Sequence, residues 1–115
     1  VLTIYGIKNC DTMKKAVAEL DTLGVAYHFH DYKKAGIDAA ALTAWVAALG
    51  LDTVLNRRGT SWRKLEPEQQ ARADTVDGAI ALMQENTSLI KRPVLQGDEL
   101  LLCGFHSGDY SARLA

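Results

Sequence analysis

The stretch Val1-Leu2-Thr3-Ile4-Tyr5-Gly6-Ile7-Lys8-Asn9-Cys10-Asp11-Thr12-Met13 passes from apolar, β-branched and aromatic residues into a short polar loop, and from there into a helical repeat. Residues of the first kind suit a pleated, half-buried strand. From Met13 the apolar positions Met13, Ala16, Val17, Leu20 and Leu23 recur on one helical face, and Gly24 follows as a C-terminal stop. Val25 to Asp31 then alternates, with Val25, Tyr27 and Phe29 on one side and Ala26, His28 and His30 on the other. A strand, a helix and a second strand close most readily with right-handed parallel pairing, so a parallel partner for the opening strand is expected.

Outward from this unit, Lys33-Lys34-Ala35-Gly36 reads as a loop, and Asp38 is placed to cap an Ala-rich helix that ends at Gly50. The polar run Asn56-Arg57-Arg58-Gly59-Thr60-Ser61 predicts an exposed loop, Pro67 suits a first helical position, and Asp77 to Met83 has helical spacing. Leu89 to Leu95 and Glu99 to Cys103 read as two strands of a hairpin turning at Gln96-Gly97-Asp98. Ser107 to Ala115 predicts a short closing helix. The order implies an α/β fold with one mixed β-sheet flanked by helices. We expect a single domain over residues 1–115, with an inserted helical segment at about 38–86.

Composition narrows the function. The chain has 115 residues, 48% hydrophobic and 23% charged, which fits a folded globular protein rather than a disordered one. Its formal net charge of -1 lacks the basic surplus that meets nucleic-acid phosphates. No apolar run approaches the roughly 20 residues of a membrane span, and the opening residues lack a signal peptide's basic flank. Two cysteines, Cys10 and Cys103, far apart and outside any CxxC or Cys/His ligand pattern, imply free thiols, no metal and a cytoplasmic setting.

Cys10 stands between a strand and a helix, where unpaired N–H groups and the positive end of the helix dipole stabilise a thiolate. Lys8 and Lys14 add positive charge nearby, and Asp11 opposes it. The competing reading is a small buried hydrophobe, the commoner fate of an unpaired cysteine. Cys103, inside an apolar strand, fits that second reading better. Arg57, Arg58 and Arg92 offer planar forks of donors suited to a carboxylate or oxyanion, although a solvated surface role is the default for each. Pro93 cannot donate to a sheet ladder and marks the entry to a strand, where either a trans or a cis bond is open. His28 and His30 share a strand face without a third ligand nearby, and His106 suits a surface or capping position.

Three separated segments, Tyr5-Gly6-Ile7-Lys8-Asn9-Cys10-Asp11-Thr12, Arg57-Arg58-Gly59-Thr60-Ser61-Trp62-Arg63-Lys64-Leu65 and Ile90-Lys91-Arg92-Pro93, together resemble the Spx/ArsC family, and within it the YffB group. The likeness covers nearly the whole chain and implies a thioredoxin-like fold with a helical insertion. In the glutathione-coupled arsenate reductases of the family a cysteine matching Cys10 attacks arsenate, and glutathione resolves the adduct with help from glutaredoxin. Arginines matching Arg57 and Arg92 bind the oxyanion and hold the thiolate, and Pro93 matches a proline that is cis in such folds. Gly104 stands where the arsenate-reducing branch carries a further arginine, and Cys10-Asp11-Thr12-Met13 lacks the CxxC of the regulatory Spx branch.

The resemblance therefore implies a glutathione-dependent thiol-disulfide oxidoreductase. Cys10 would be its nucleophile, with Thr12, Lys8, Arg57, Arg92 and Pro93 around the oxyanion or glutathione. Glutathione would be the co-substrate and glutaredoxin a candidate partner. The alternatives are an arsenate reductase coupled to glutathione and glutaredoxin, and a regulatory module that binds RNA polymerase without chemistry.

Overall fold

The computed structural model describes residues 2–114, so Val1 and Ala115, included in the expected first strand and last helix, lie outside the described residues. The opening strand β1 is Leu2–Gly6, followed by helix α1 at Asp11–Leu23 and strand β2 at Tyr27–Asp31. The sheet is completed by β3, Val94–Gln96, and β4, Leu101–Cys103, in the order β2-β1-β3-β4. β1 pairs parallel with β2, as the crossover through α1 requires, while β3 runs antiparallel to both β1 and β4. The mixed sheet and its flanking helices are those expected from the sequence.

The described residues cluster into two compact units. One takes in the residues up to Ala35 and those from Arg92 onward, and it holds the whole sheet. Its core gathers Ile4, Met13, Ala16, Leu20, Leu95 and Tyr110, all buried. Ile4 pairs with Leu95, and Leu95 with Leu102, so the pleat turns these three toward α1. The next row, Tyr5, Val94 and Cys103, points to the opposite face, where Tyr32 stacks on Tyr5 at 6.3 Å. Helix α1 ends where Gly24 takes a left-handed φ of 69° and its N–H meets the carbonyls of Asp21 and Leu20.

The second unit, Gly36–Lys91, is helical. Asp38 caps the helix Ala39–Leu49 by accepting the Ala41 N–H at 2.8 Å, and Thr75 caps Val76–Glu85 by accepting from Gly78. Those two helices pack together through the buried faces carrying Leu42 and Trp45 on one and Ala79, Ile80, Leu82 and Met83 on the other. Pro67 opens the helix Pro67–Ala71 at its first turn, as expected.

Three local expectations are corrected. Leu89 to Leu95 does not form one strand: Leu89 lies in a 3-10 turn, Ile90 bridges Leu55, and the Lys91 N–H bonds the Val54 carbonyl at 2.8 Å. Pro93, having no N–H, cannot carry the ladder across, so β3 begins only at Val94. Tyr32–Ala35 forms a helical turn instead of a loop because the Asp31 carboxylate accepts the Lys33 N–H at 2.9 Å. Within the expected loop at 56–61, a helical turn starts at Thr60. Among the described residues no helix is long and apolar enough to cross a membrane.

The last helix, Asp109–Leu114, is tied to α1 by a contact without a sequence signature. The Glu19 carboxylate accepts the N–H groups of Gly108 and Tyr110 at 2.8 Å and that of Ser111 at 3.1 Å. These would otherwise be orphan donors of a helix start. The Gly108 bond leads in holding the Glu19 carboxyl below its ordinary range, with help from Ser111 and Tyr110 and against desolvation. A depressed carboxylate pKa contributes stability above the unfolded value of about 4.3, lost as pH falls through the folded value. Glu19→Gln is therefore expected to lower Tm at neutral pH, with the difference from the parent shrinking steadily in thermal melts toward pH ~3.

Candidate active site

Cys10 is the N-cap of α1, in extended backbone with φ -100° and ψ 128°, and its carbonyl accepts the Lys14 N–H at 3.0 Å. The chain reaches it from β1 through Asn9, whose positive φ of 62° is one that asparagine tolerates. Gly6, at the end of β1, sits so close to Met13 that a β-carbon there would collide with the methionine sulfur. Glycine thus lets the first turn of α1 lie directly against the strand end.

On the neighbouring strand the Arg92–Pro93 peptide bond is cis, and Pro93 is buried. The Tyr5–Val94 pair of the antiparallel ladder is followed by Gly6 in one strand and preceded by Pro93 in the other. This register brings half-buried Arg92 to the thiol. The Pro93 carbonyl accepts the Gly104 N–H at 2.8 Å, which joins the end of β4 to the same corner. Gly104 has a φ of 81°, in the left-handed region that favours glycine over any residue with a side chain.

As a thiol, Cys10 makes no capping hydrogen bond of ordinary geometry, in keeping with the weak acceptor strength of neutral sulfur. As a thiolate it is well served. Partial burial pushes the pKa up, but this is outweighed by the Met13 N–H, a hydrogen bond from the Arg92 side chain, the Thr12 N–H and the charge of Arg92. The net effect holds Cys10 below the ordinary thiol range. A lowered pKa raises the fraction present as the nucleophile near neutral pH.

The sequence-derived site residues divide into three groups. Cys10, Thr12, Arg92 and Pro93 come together in one corner, with Thr12 acting through its backbone N–H. Lys8 and Lys14, both exposed, line an apolar groove with Met13 and Val17, and Arg92 is the cation that acts on the sulfur. Arg57 belongs to the second unit, where its guanidinium bonds the Asp52 carboxylate and lies 5.5 Å from the Trp62 ring centre. His30 packs against Tyr5 at 4.9 Å, and His106 is an exposed turn residue whose N–H bonds Asp109 at 2.7 Å.

Cys103 is only half-buried in β4, and it borders a cavity of about 340 Å³ with Gly104, Asp109 and Arg113. It is therefore not the packed core residue expected from its apolar strand. The unpaired N–H groups expected around the sulfur are those of Thr12 and Met13; Met13 was not singled out in the sequence, although its place three residues beyond an N-cap signals it. Among the described residues no cluster of three or more His, Cys, Asp or Glu side chains could hold a metal ion.

The ArsC family profile matches residues 5–113. A protein of Haemophilus influenzae, named only as uncharacterized, is 38% identical over 115 residues, covering 100% of both chains. Among solved structures, a YffB protein is 51% identical with a TM-score of 0.93, covering 100% of each chain. An arsenate reductase (ArsC) related protein from Brucella melitensis is 46% identical with a TM-score of 0.74, over 96% of this chain and 92% of that one. Replacing Arg92 with Ala removes both a hydrogen bond and a charge from the sulfur, and should move the midpoint of the Cys10 alkylation-pH curve upward by about one unit. An unchanged midpoint would separate Arg92 from the thiolate.

Proposed function

Because the chain belongs to the ArsC family and has its thioredoxin-like α/β fold, we propose that it is a glutathione-dependent thiol-disulfide oxidoreductase with Cys10 as its single nucleophile. The observation that carries this reading is the thiolate site itself: a cysteine at a helix start, met by two backbone N–H groups and by Arg92. Attack by that thiolate on a glutathione mixed disulfide forms a new S–S bond between Cys10 and the glutathionyl sulfur. The bond to the substrate's sulfur breaks, and that sulfur leaves as a thiolate and takes a proton from water. A second glutathione thiolate then attacks the glutathionyl sulfur, releasing glutathione disulfide and the Cys10 thiolate.

Each site residue has a role in these steps. Arg92 and the N–H groups of Thr12 and Met13 stabilise the sulfur whenever it is anionic, both before attack and as it leaves. Pro93, cis and buried, holds the corner next to the thiol. Lys8 and Arg57 serve the carboxylates of glutathione, Arg57 on the strength of its place in the family motif. The setting is cytoplasmic, where glutathione keeps such thiols reduced. Glutaredoxin is a candidate recycling partner.

Reduction of arsenate is the second reading, favoured by the Brucella relative's description as arsenate reductase related. Gly104, in left-handed backbone where the arsenate-reducing branch has arginine, weighs against it. One assay separates the two. With glutathione and a glutathionylated thiol as substrates, the parent should turn over and carry a glutathione adduct on Cys10 in the mass spectrum, while Cys10→Ser should lose activity by at least ~100-fold. Turnover of arsenate in place of the disulfide would select the second reading. Absence of both activities, with no adduct on Cys10, would overturn the proposal.

A further inference from the structure

Between α1, the helix that Cys10 caps, and strand β2 lies an open groove of about 330 Å³, walled by Ile7, Met13, Val17, Tyr27 and Phe29 and edged by Lys8, Asn9 and Lys14. Its lining is mostly apolar, and Phe29 is one of two large apolar side chains exposed among the described residues, at 39%. The volume is at the lower end of the range for small-molecule sites. Its position is tied to the chemistry. Met13, Lys14 and Val17, at i+3, i+4 and i+7 from the N-cap Cys10, form one wall, and Asn9, next to Cys10 in the chain, stands at the rim. The opposite wall is edge strand β2, on which Tyr27 is held by a 2.9 Å hydrogen bond from its hydroxyl to Asp21.

The charges at the rim are uneven. The ammonium groups of Lys8 and Lys14 have no ion-pair partner among the described residues. Of the nearby carboxylates, Asp21 is engaged by Tyr27, and exposed Asp11 stands in the first turn of α1 without lining the groove. An apolar trough with two free cations at its rim matches a ligand with an apolar body and a negative group.

Resting on the reductase reading above, we propose that this groove holds the departing half of the substrate, so that the preferred substrates are mixed disulfides of glutathione with apolar, anionic thiols. The apolar body lies against Phe29, Tyr27 and Val17, its negative group meets Lys14, and its sulfur is directed toward Cys10, while Lys8 is left to the glutathione half. The step balances as before: Cys10 takes the glutathionyl sulfur, the substrate's S–S bond breaks, the apolar thiol leaves with the electron pair, and glutathione supplies the reducing equivalents.

The test compares glutathione disulfides of mercaptohexanoate, its neutral amide and mercaptoethanol. For the parent, kcat/KM should be about tenfold higher for the amide than for the mercaptoethanol compound, from burial of the added methylenes. It should be about threefold higher again for the acid, a difference that fades at high salt. Phe29→Asp should erase most of the first ratio, and Lys14→Glu should bring the acid-to-amide ratio to one or below. Equal rates for all three compounds in the parent, or variants that change all three by one factor, would overturn the groove.

Failure of the reductase reading looks different, since none of the three compounds would be turned over and Cys10 would carry no adduct. The groove is then decided by amide NMR of the parent titrated with octanoate and octanol. Shifts centred on Val17, Tyr27 and Phe29, larger for octanoate, uphold it as a site for apolar anions, and no shifts there dismiss it.

Discussion

The antiparallel pairing of Tyr5 with Val94 is the constraint on which the rest of the site depends. It joins a strand at the start of the chain to one from its last third, and it fixes which residues meet just beyond the paired row. Gly6 and the cis Arg92–Pro93 bond occupy that position, so the loop leaving β1 and the segment entering β3 share one corner. A slip of β3 by one residue in this register would turn Leu95 away from Ile4 and out of the core, so burial of that apolar row enforces the pairing. The thiolate environment of Cys10 is thus a consequence of hydrophobic packing several residues away.

A second constraint acts through α1. The helix is pinned from below by its buried stripe of Met13, Ala16 and Leu20, at its end by Gly24, and from the side by Glu19, which takes up the free N–H groups of the last helix. Its first turn cannot readily withdraw from the sheet, and Gly6 leaves the space that the Met13 thioether fills. The N–H groups of Thr12 and Met13 are therefore held where negative charge develops on sulfur. Donors fixed in advance need no reorganisation at the moment of reaction, which is the basis of their value to a nucleophile. The same rigidity shapes the wall of the neighbouring groove.

Much of this was legible locally. The strand, loop and helix around Cys10, the parallel partner, the Gly97 hairpin and the caps at Asp38 and Gly24 each follow from neighbouring residues, and each is present. Errors arose where a remote partner overruled a local pattern. Leu89 to Leu95 has the composition of a strand, yet Ile90 pairs with Leu55 and only Val94 onward joins the sheet. The Glu19 contact, spanning 89 to 92 residues, has no local signal at all.

By itself the sequence determined that Cys10 caps a helix, because the apolar period after it and the strand before it leave no other place for the residue. It also carried the family's ordered motifs, since these are strings of residues. Only the tertiary structure decided which cation acts on the sulfur: Lys8, Lys14 and Arg92 were all candidates by charge, and strand register selected Arg92. It likewise decided that the two nearby lysines edge an apolar groove. The reason is physical: backbone preference and hydrophobic period act between near neighbours, whereas electrostatic stabilisation depends on distances of a few ångströms between groups that only the completed sheet brings together.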